Sequence, residues 1–105
     1  MAQLYKSITT ADTHELIAKS ETIRTSSSSI HMISICNNSD NAATNIHVNL
    51  WDGSGDVYYI CRNVTIPSGA TLILDDIPIL RFDSRKYKLR ISNAGTAPDL
   101  TVIIK

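Results

Sequence analysis

The stretch TNIHVNLWDGSGDVYYICRNVTI, residues 44 to 66, decides how this chain folds. In its first half Ile46, Val48 and Leu50 fall on one side and Asn45, His47 and Asn49 on the other, the period of a strand with one buried face. Its second half, 57 to 66, is rich in β-branched and aromatic residues and reads as a partner strand. The acidic link between them imitates an ion cage, because Asp52, Ser54 and Asp56 occupy the first three ligand positions of a calcium-binding EF-hand loop. That pattern needs glycine at its sixth place and glutamate at its twelfth, where this chain has Val57 and Asn63. Gly53 and Gly55 are instead expected to supply the positive φ angles of a hairpin.

The length of that hairpin loop sets which side chains reach the core. A three-residue loop puts Tyr58 and Ile60 on the face of Val48 and Leu50, whereas a two- or four-residue loop puts Val57, Tyr59 and Cys61 there. Trp51 falls on the opposite, polar side with His47 and Asn49 in either case. A tryptophan there is covered by a loop or anchors a partner, since aromatic side chains are enriched at interface hot spots.

Outward from this hairpin the same period recurs. KYKLRIS (86–92) sets Tyr87, Leu89 and Ile91 against Lys86, Lys88 and Arg90, and DLTVIIK (99–105) sets Leu100, Val102 and Ile104 against Thr101, Ile103 and Lys105. SIHMISICN (29–37), ATLIL (70–74) and IPILRF (77–82) are further strand-like runs, with Pro78 marking an edge or kink because proline cannot donate to a ladder. Turns are spelled by NNSDNAA, DGSG, PSG, FDSR and NAGTAPD, at the spacing of a β-sandwich with about seven or eight short strands. QLYKSI and HELIAKSETIR could add two strands, although THEL also has the form of a capping box that could start one helical turn. Residues 1–12 are expected to be an N-terminal arm or edge strand, and residues 13–105 the sandwich domain.

At 105 residues the chain can bury a core without staples, and 43% hydrophobic against 19% charged residues describes a folded domain. Ten basic and ten acidic residues balance, which argues against a polyanion partner such as nucleic acid. Cys36 and Cys61 lie inside apolar runs without a C-x-x-C spacing, so buried free thiols are expected. No apolar run approaches the roughly 20 residues of a membrane span, and MAQLYKSITTADTHEL has no basic segment followed by an apolar one, so no secretory signal is expected. His14, His31 and His47 are dispersed, there is no G-x-S-x-G elbow, and Asp75 and Asp76 follow an apolar strand as turn-entry residues do. No catalytic, metal or cofactor site is therefore expected. The candidate interface residues are Trp51 and the basic cluster Arg81, Arg85, Lys86, Lys88 and Arg90, read first as a solvated strand face and second as a dock for an acidic protein surface.

From about residue 29 onward the order of features resembles a group of small bacteriophage virion proteins with an immunoglobulin-like β-sandwich. The carrying residues are ISICNNSDNAATNIHVNLWDGSGDVYYICRNVTIPSGATLILDD, YKLRISN and DLTVIIK. They run as a strand ending in Asn, a polar turn, an alternating strand, a Gly/Ser hairpin, a Tyr-rich strand, an N-V-x-I-P-x-G corner and an L-x-L strand. A basic alternating strand and an apolar one complete the order. FDSRKYKL stands where members of the group often have a glycine-aspartate corner. The resemblance implies a single all-β, antiparallel sandwich and a non-enzymatic structural subunit of a phage particle, most simply a capsid decoration or cement protein made in the host cytoplasm. Its partners would be the major capsid protein or tail proteins and further copies of itself, with no membrane and no cofactor. A tail, neck or baseplate component, and a carbohydrate- or host-surface-binding module with Trp51 and a tyrosine as platform, are the alternatives. An exposed sheet edge near Pro78 or the arm could add strands between subunits.

Overall fold

The computed structural model describes residues 4–17, 30–76, 80, 86–94 and 98–105. Among these lie eight strands: β1 (Leu4–Ile8), β2 (Thr13–Ile17), β3 (Ile33–Asn37), β4 (Ala43–Trp51), β5 (Val57–Ile66), β6 (Thr71–Leu74), β7 (Lys88–Ser92) and β8 (Leu100–Ile104). They form two four-stranded antiparallel sheets, β1-β8-β3-β6 and β2-β7-β4-β5. The all-β antiparallel sandwich expected from the sequence is the architecture observed.

The wiring of the sandwich is specific. β1 pairs with β8, β2 with β7, β3 with β6 and β4 with β5, so the chain runs as one long hairpin rolled until its two halves face each other. The β3–β8 and β4–β7 pairings close the roll. This is the double Greek key of a jelly roll, in place of the ABED and CFG sheets of an immunoglobulin domain. Period-two alternation is common to both, so it carries the strands and not their order.

The core is the sum of the inward positions. Ile8, Ile33, Ile35, Leu100, Val102 and Ile104 from the first sheet pack with Leu16, Ile46, Val48, Ile66, Leu89 and Ile91 from the second. THEL lies within β2 and is extended, with Leu16 buried and Thr13, His14 and Glu15 paired to β7. The helical turn that its capping-box form allowed is overruled by burial, because a strand places Leu16 in the core. Of the run 77–82, only Leu80 is described. It is buried, and its N–H donates to the Asp76 carbonyl at 3.0 Å, a helix-type bond where a strand had been expected. Pro78 lies outside the described residues.

The hairpin loop runs from residue 52 to residue 56, since Trp51 pairs with Val57. That odd length places Tyr58 opposite Leu50, and a bulge at Ile60 then returns Cys61 to the face of Val48. Each alternative parity is therefore realised along part of β5. Gly53 takes the expected positive φ of 94°, but Gly55 does not; among the described residues the other positive-φ glycine is Gly69, at 75°, in the PSG turn. Asp52 explains the difference. Its Oδ1 accepts the N–H of Ser54 (2.9 Å) and of Gly55 (3.2 Å), fixing the loop with one left-handed residue.

Two further irregularities carry asparagine in the left-handed region, Asn45 at φ 53° and Asn63 at φ 56°. Both coincide with shifts in the β4–β5 register. Asn tolerates this conformation and a β-branched residue does not. Asn63→Val is expected to cost about 1 to 2 kcal/mol in urea unfolding, whereas Asn63→Gly should be close to neutral.

Candidate interaction face

The outward side chains of β2, β7, β4 and β5 build one face row by row. Register aligns Tyr59, Asn49, Arg90 and Glu15 across all four strands, flanked by a row of Val57, Trp51 and Lys88 and another of His47, Ser92 and Thr13. Trp51 stands on the polar side, half-buried. Its cover is cationic. The Arg90 guanidinium carbon lies 4.5 Å and the Lys88 ammonium 5.2 Å from the ring centroid, the attraction expected of a cation over an aromatic quadrupole.

Each cation is held by a second contact. Arg90 Nε donates to Asn49 Oδ1 at 3.0 Å, and Lys88 Nζ pairs with Glu15 at 2.8 Å. Asn49 is thereby buried although it points away from the core. Toward β5 the theme repeats, with the Arg62 guanidinium 5.3 Å from the Tyr59 ring centroid and the His47 ring 5.7 Å from it, inclined at 59°. His47 Nδ1 accepts the Asn63 N–H at 3.1 Å, which assigns the ring proton of the neutral imidazole to Nε2. At the hairpin end Tyr58 meets Tyr87 edge-on, at 5.9 Å and 88°. The neighbouring Asp56 carboxylate, followed by Tyr87, raises the Tyr58 phenol above its ordinary range.

Of the residues singled out from sequence, Trp51, Lys88 and Arg90 are brought together here. Lys86 is exposed and precedes β7, while Arg81 and Arg85 lie outside the described residues. Glu15, His47, Asn49, Tyr59 and Arg62 complete the face. The alternation of 44 to 50 placed His47 and Asn49 on this side, but Arg62 reaches it only because the Ile60 bulge reverses parity. Asp75 and Asp76 sit beyond β6 at the rim of an apolar hollow of about 260 Å³ lined by Ile60, Ile73, Leu74 and Leu80. Cys36 and Cys61 are free thiols, and both are half-buried where full burial had been expected. Burial pushes the Cys61 thiol above its ordinary range.

The acidic hairpin has its own chemistry. The amide of Ser54, then that of Gly55, holds the Asp52 carboxyl below its ordinary 3.8. Lone pairs used in this way serve the turn rather than an ion, and among the described residues no group of three or more His, Cys, Asp or Glu side chains could hold a metal. A carboxyl depressed by folding stabilises the fold above its unfolded pKa, and that contribution is lost as pH falls through the folded value. Asp52→Asn is therefore expected to flatten the acid limb of stability below about pH 4, read as the urea midpoint at each pH.

Fold and face together define a jelly-roll β-sandwich that presents stacked aromatic and cationic side chains on one sheet. No family model, no curated protein and no solved structure matches the chain.

Proposed function

We propose that this chain is a non-enzymatic structural subunit of a bacteriophage particle, most simply a decoration or cement protein that binds the head surface through protein contacts. The observation that carries the reading is the Arg90–Trp51–Lys88 stack, an aromatic anchor flanked by two cations on the outer face of a sheet. Tryptophan, tyrosine and arginine are the residues that concentrate binding energy at protein interfaces. With Arg62 and Lys86 adding charge, the face suits an acidic patch on a larger protein, where complementary potential sets orientation and on-rate. Jelly rolls serve as capsid and lectin domains alike, so the fold is compatible with this role without specifying it.

The sugar-platform alternative is less well supported. A platform needs exposed rings lying in one plane, whereas Tyr58 and Tyr87 meet at 88°, Tyr59 is tilted against His47, and cations cover Trp51.

The test is sedimentation of particles from a producing culture followed by quantitation of the chain in the particle band. Many copies per particle are expected, and Trp51→Ala or Arg90→Glu should lower occupancy about tenfold or more. A chain that stays in the supernatant as a lone monomer would sink the proposal.

A further inference from the structure

The opposite face of the sandwich has a different character. Register aligns the outward residues Tyr5, Ile103, Ser34 and Ile73 in one complete row across β1, β8, β3 and β6, and Ser7, Thr101, Cys36 and Thr71 in the next. These central rows contain no charged residue, although the corresponding rows of the other sheet hold Glu15, Lys88 and Arg90. The first row is a ridge, with Tyr5 and Ile73 more than half exposed. The second is a shelf of small side chains, tied down where Asn38 Nδ2 donates to Thr101 Oγ1 (2.8 Å) and the Cys36 thiol donates to Asn38 Oδ1 (3.5 Å).

Charge returns only at the two ends. Past the ridge, Lys105 and Met32 exchange two backbone hydrogen bonds of 3.0 Å; past the shelf, the Asn38 N–H donates to the Asp99 carbonyl at 2.8 Å. Continued alternation puts Lys105 on the outer face at one end of β8 and Asp99 on it at the other.

We propose that this face is the packing surface for a second copy of the chain, in an isologous face-to-face pair. A two-fold axis in the interface, running across the strands between ridge and shelf, lays each ridge on the partner's shelf. Ile103 then rests on Thr101 of the second copy and Ile73 on Thr71, and Lys105 meets Asp99 at both ends. A surface that complements itself in shape and charge in this way is what a two-fold interface requires. The flat area is about 300 Å² per copy from strand spacing and rise, below the about 800 Å² per partner of a standard interface. Association is therefore weak and reversible in free solution.

The pair has a measurable geometry. With sheets about 10 Å apart and the rows about 7 Å apart along the strand, the two Cys36 Cα atoms stand about 12 Å from each other, beyond the roughly 7 Å limit of a disulfide. Sedimentation equilibrium of the Cys61→Ala variant at millimolar protein should therefore show a monomer–dimer equilibrium, while oxidation should give no disulfide-linked dimer. Ser34→Arg, which places a charge in the ridge, should weaken the dimer about tenfold or more. Lys105→Glu and Asp99→Lys should each weaken it, and the double swap should restore it. Circular dichroism reports that each variant is folded. A chain that stays monomeric at millimolar concentration, or a double swap that fails to rescue, would overturn the pairing. The experiment uses the purified chain alone, so its failure leaves the particle reading and its Trp51 face standing.

Discussion

Replacing Asn37 with alanine is expected to destabilise this domain by about 3 to 5 kcal/mol, the sum of several orphaned polar groups. Asn37 is fully buried at the end of β3, where its side chain ties the two sheets together. Its Nδ2 donates to the Ile66 carbonyl at the end of β5 (3.0 Å) and to the Asn41 carbonyl in the crossover (2.8 Å), while its Oδ1 accepts the Ser39 N–H (3.0 Å). Its own backbone bonds Ala70 and Gly69 in the next turn. Alanine leaves the Ile66 carbonyl without that donor in a dry site. Thermal unfolding should move down by about 15 to 25 °C for a domain of this size. Asn37→Asp adds a sharper readout. It keeps one oxygen as acceptor for Ser39 but turns the other toward two carbonyls, so the charged form is disfavoured in the fold and its folded pKa is raised. Its stability should therefore rise as pH falls through that value, opposite in sign to the Asp52 contribution. An Asn37→Asp variant whose stability does not depend on pH would contradict this account of the donors.

Ile91→Ala should cost about 3 to 4 kcal/mol, with Ile91→Val nearer 1 kcal/mol. Ile91 is fully buried in β7, between Val48 of β4 and His14 of β2. Strands on both sides hold the backbone, so the site cannot collapse readily into the space left behind. The urea midpoint should fall with an unchanged slope, because the surface exposed on unfolding is nearly the same. A loss below about 1 kcal/mol for Ile91→Ala would mean that the core at β7 is looser than its burial indicates.

The strands themselves were legible. Val57–Ile66 matches the run read from sequence at both ends, and the alternations at 44–50, 86–92 and 99–105 place Ile46, Val48, Leu89, Ile91, Leu100, Val102 and Ile104 inward, all of them buried. THEL was ambiguous because four residues satisfy both a capping box and a strand, and only pairing to β7 resolves them. For the interaction face, Trp51, Lys88 and Arg90 were each visible as outward residues, while their mutual contact depends on β4 lying beside β7, strands separated by 36 residues between Trp51 and Lys88. Asn37 gave less warning, since a strand-ending asparagine next to a polar turn is ordinary turn chemistry until the opposite sheet supplies a carbonyl to it.

The division follows the range of the forces. Side-chain alternation, turn-forming residues and the absence of catalytic spacings are local properties of the chain, and they alone determined an all-β sandwich with Trp51 on the polar side of its strand. Tertiary structure decided the jelly-roll wiring, because backbone hydrogen bonds between strands are chemically identical whatever strands they join. It also decided the parity of β5, because the bulge at Ile60 and the left-handed Asn63 answer to the partner strand's register. Above all it sorted the outward residues into two unlike faces, one cationic and aromatic, one uncharged in its central rows. Membership of a sheet is settled by which strands pair across the whole chain, and no local pattern encodes that.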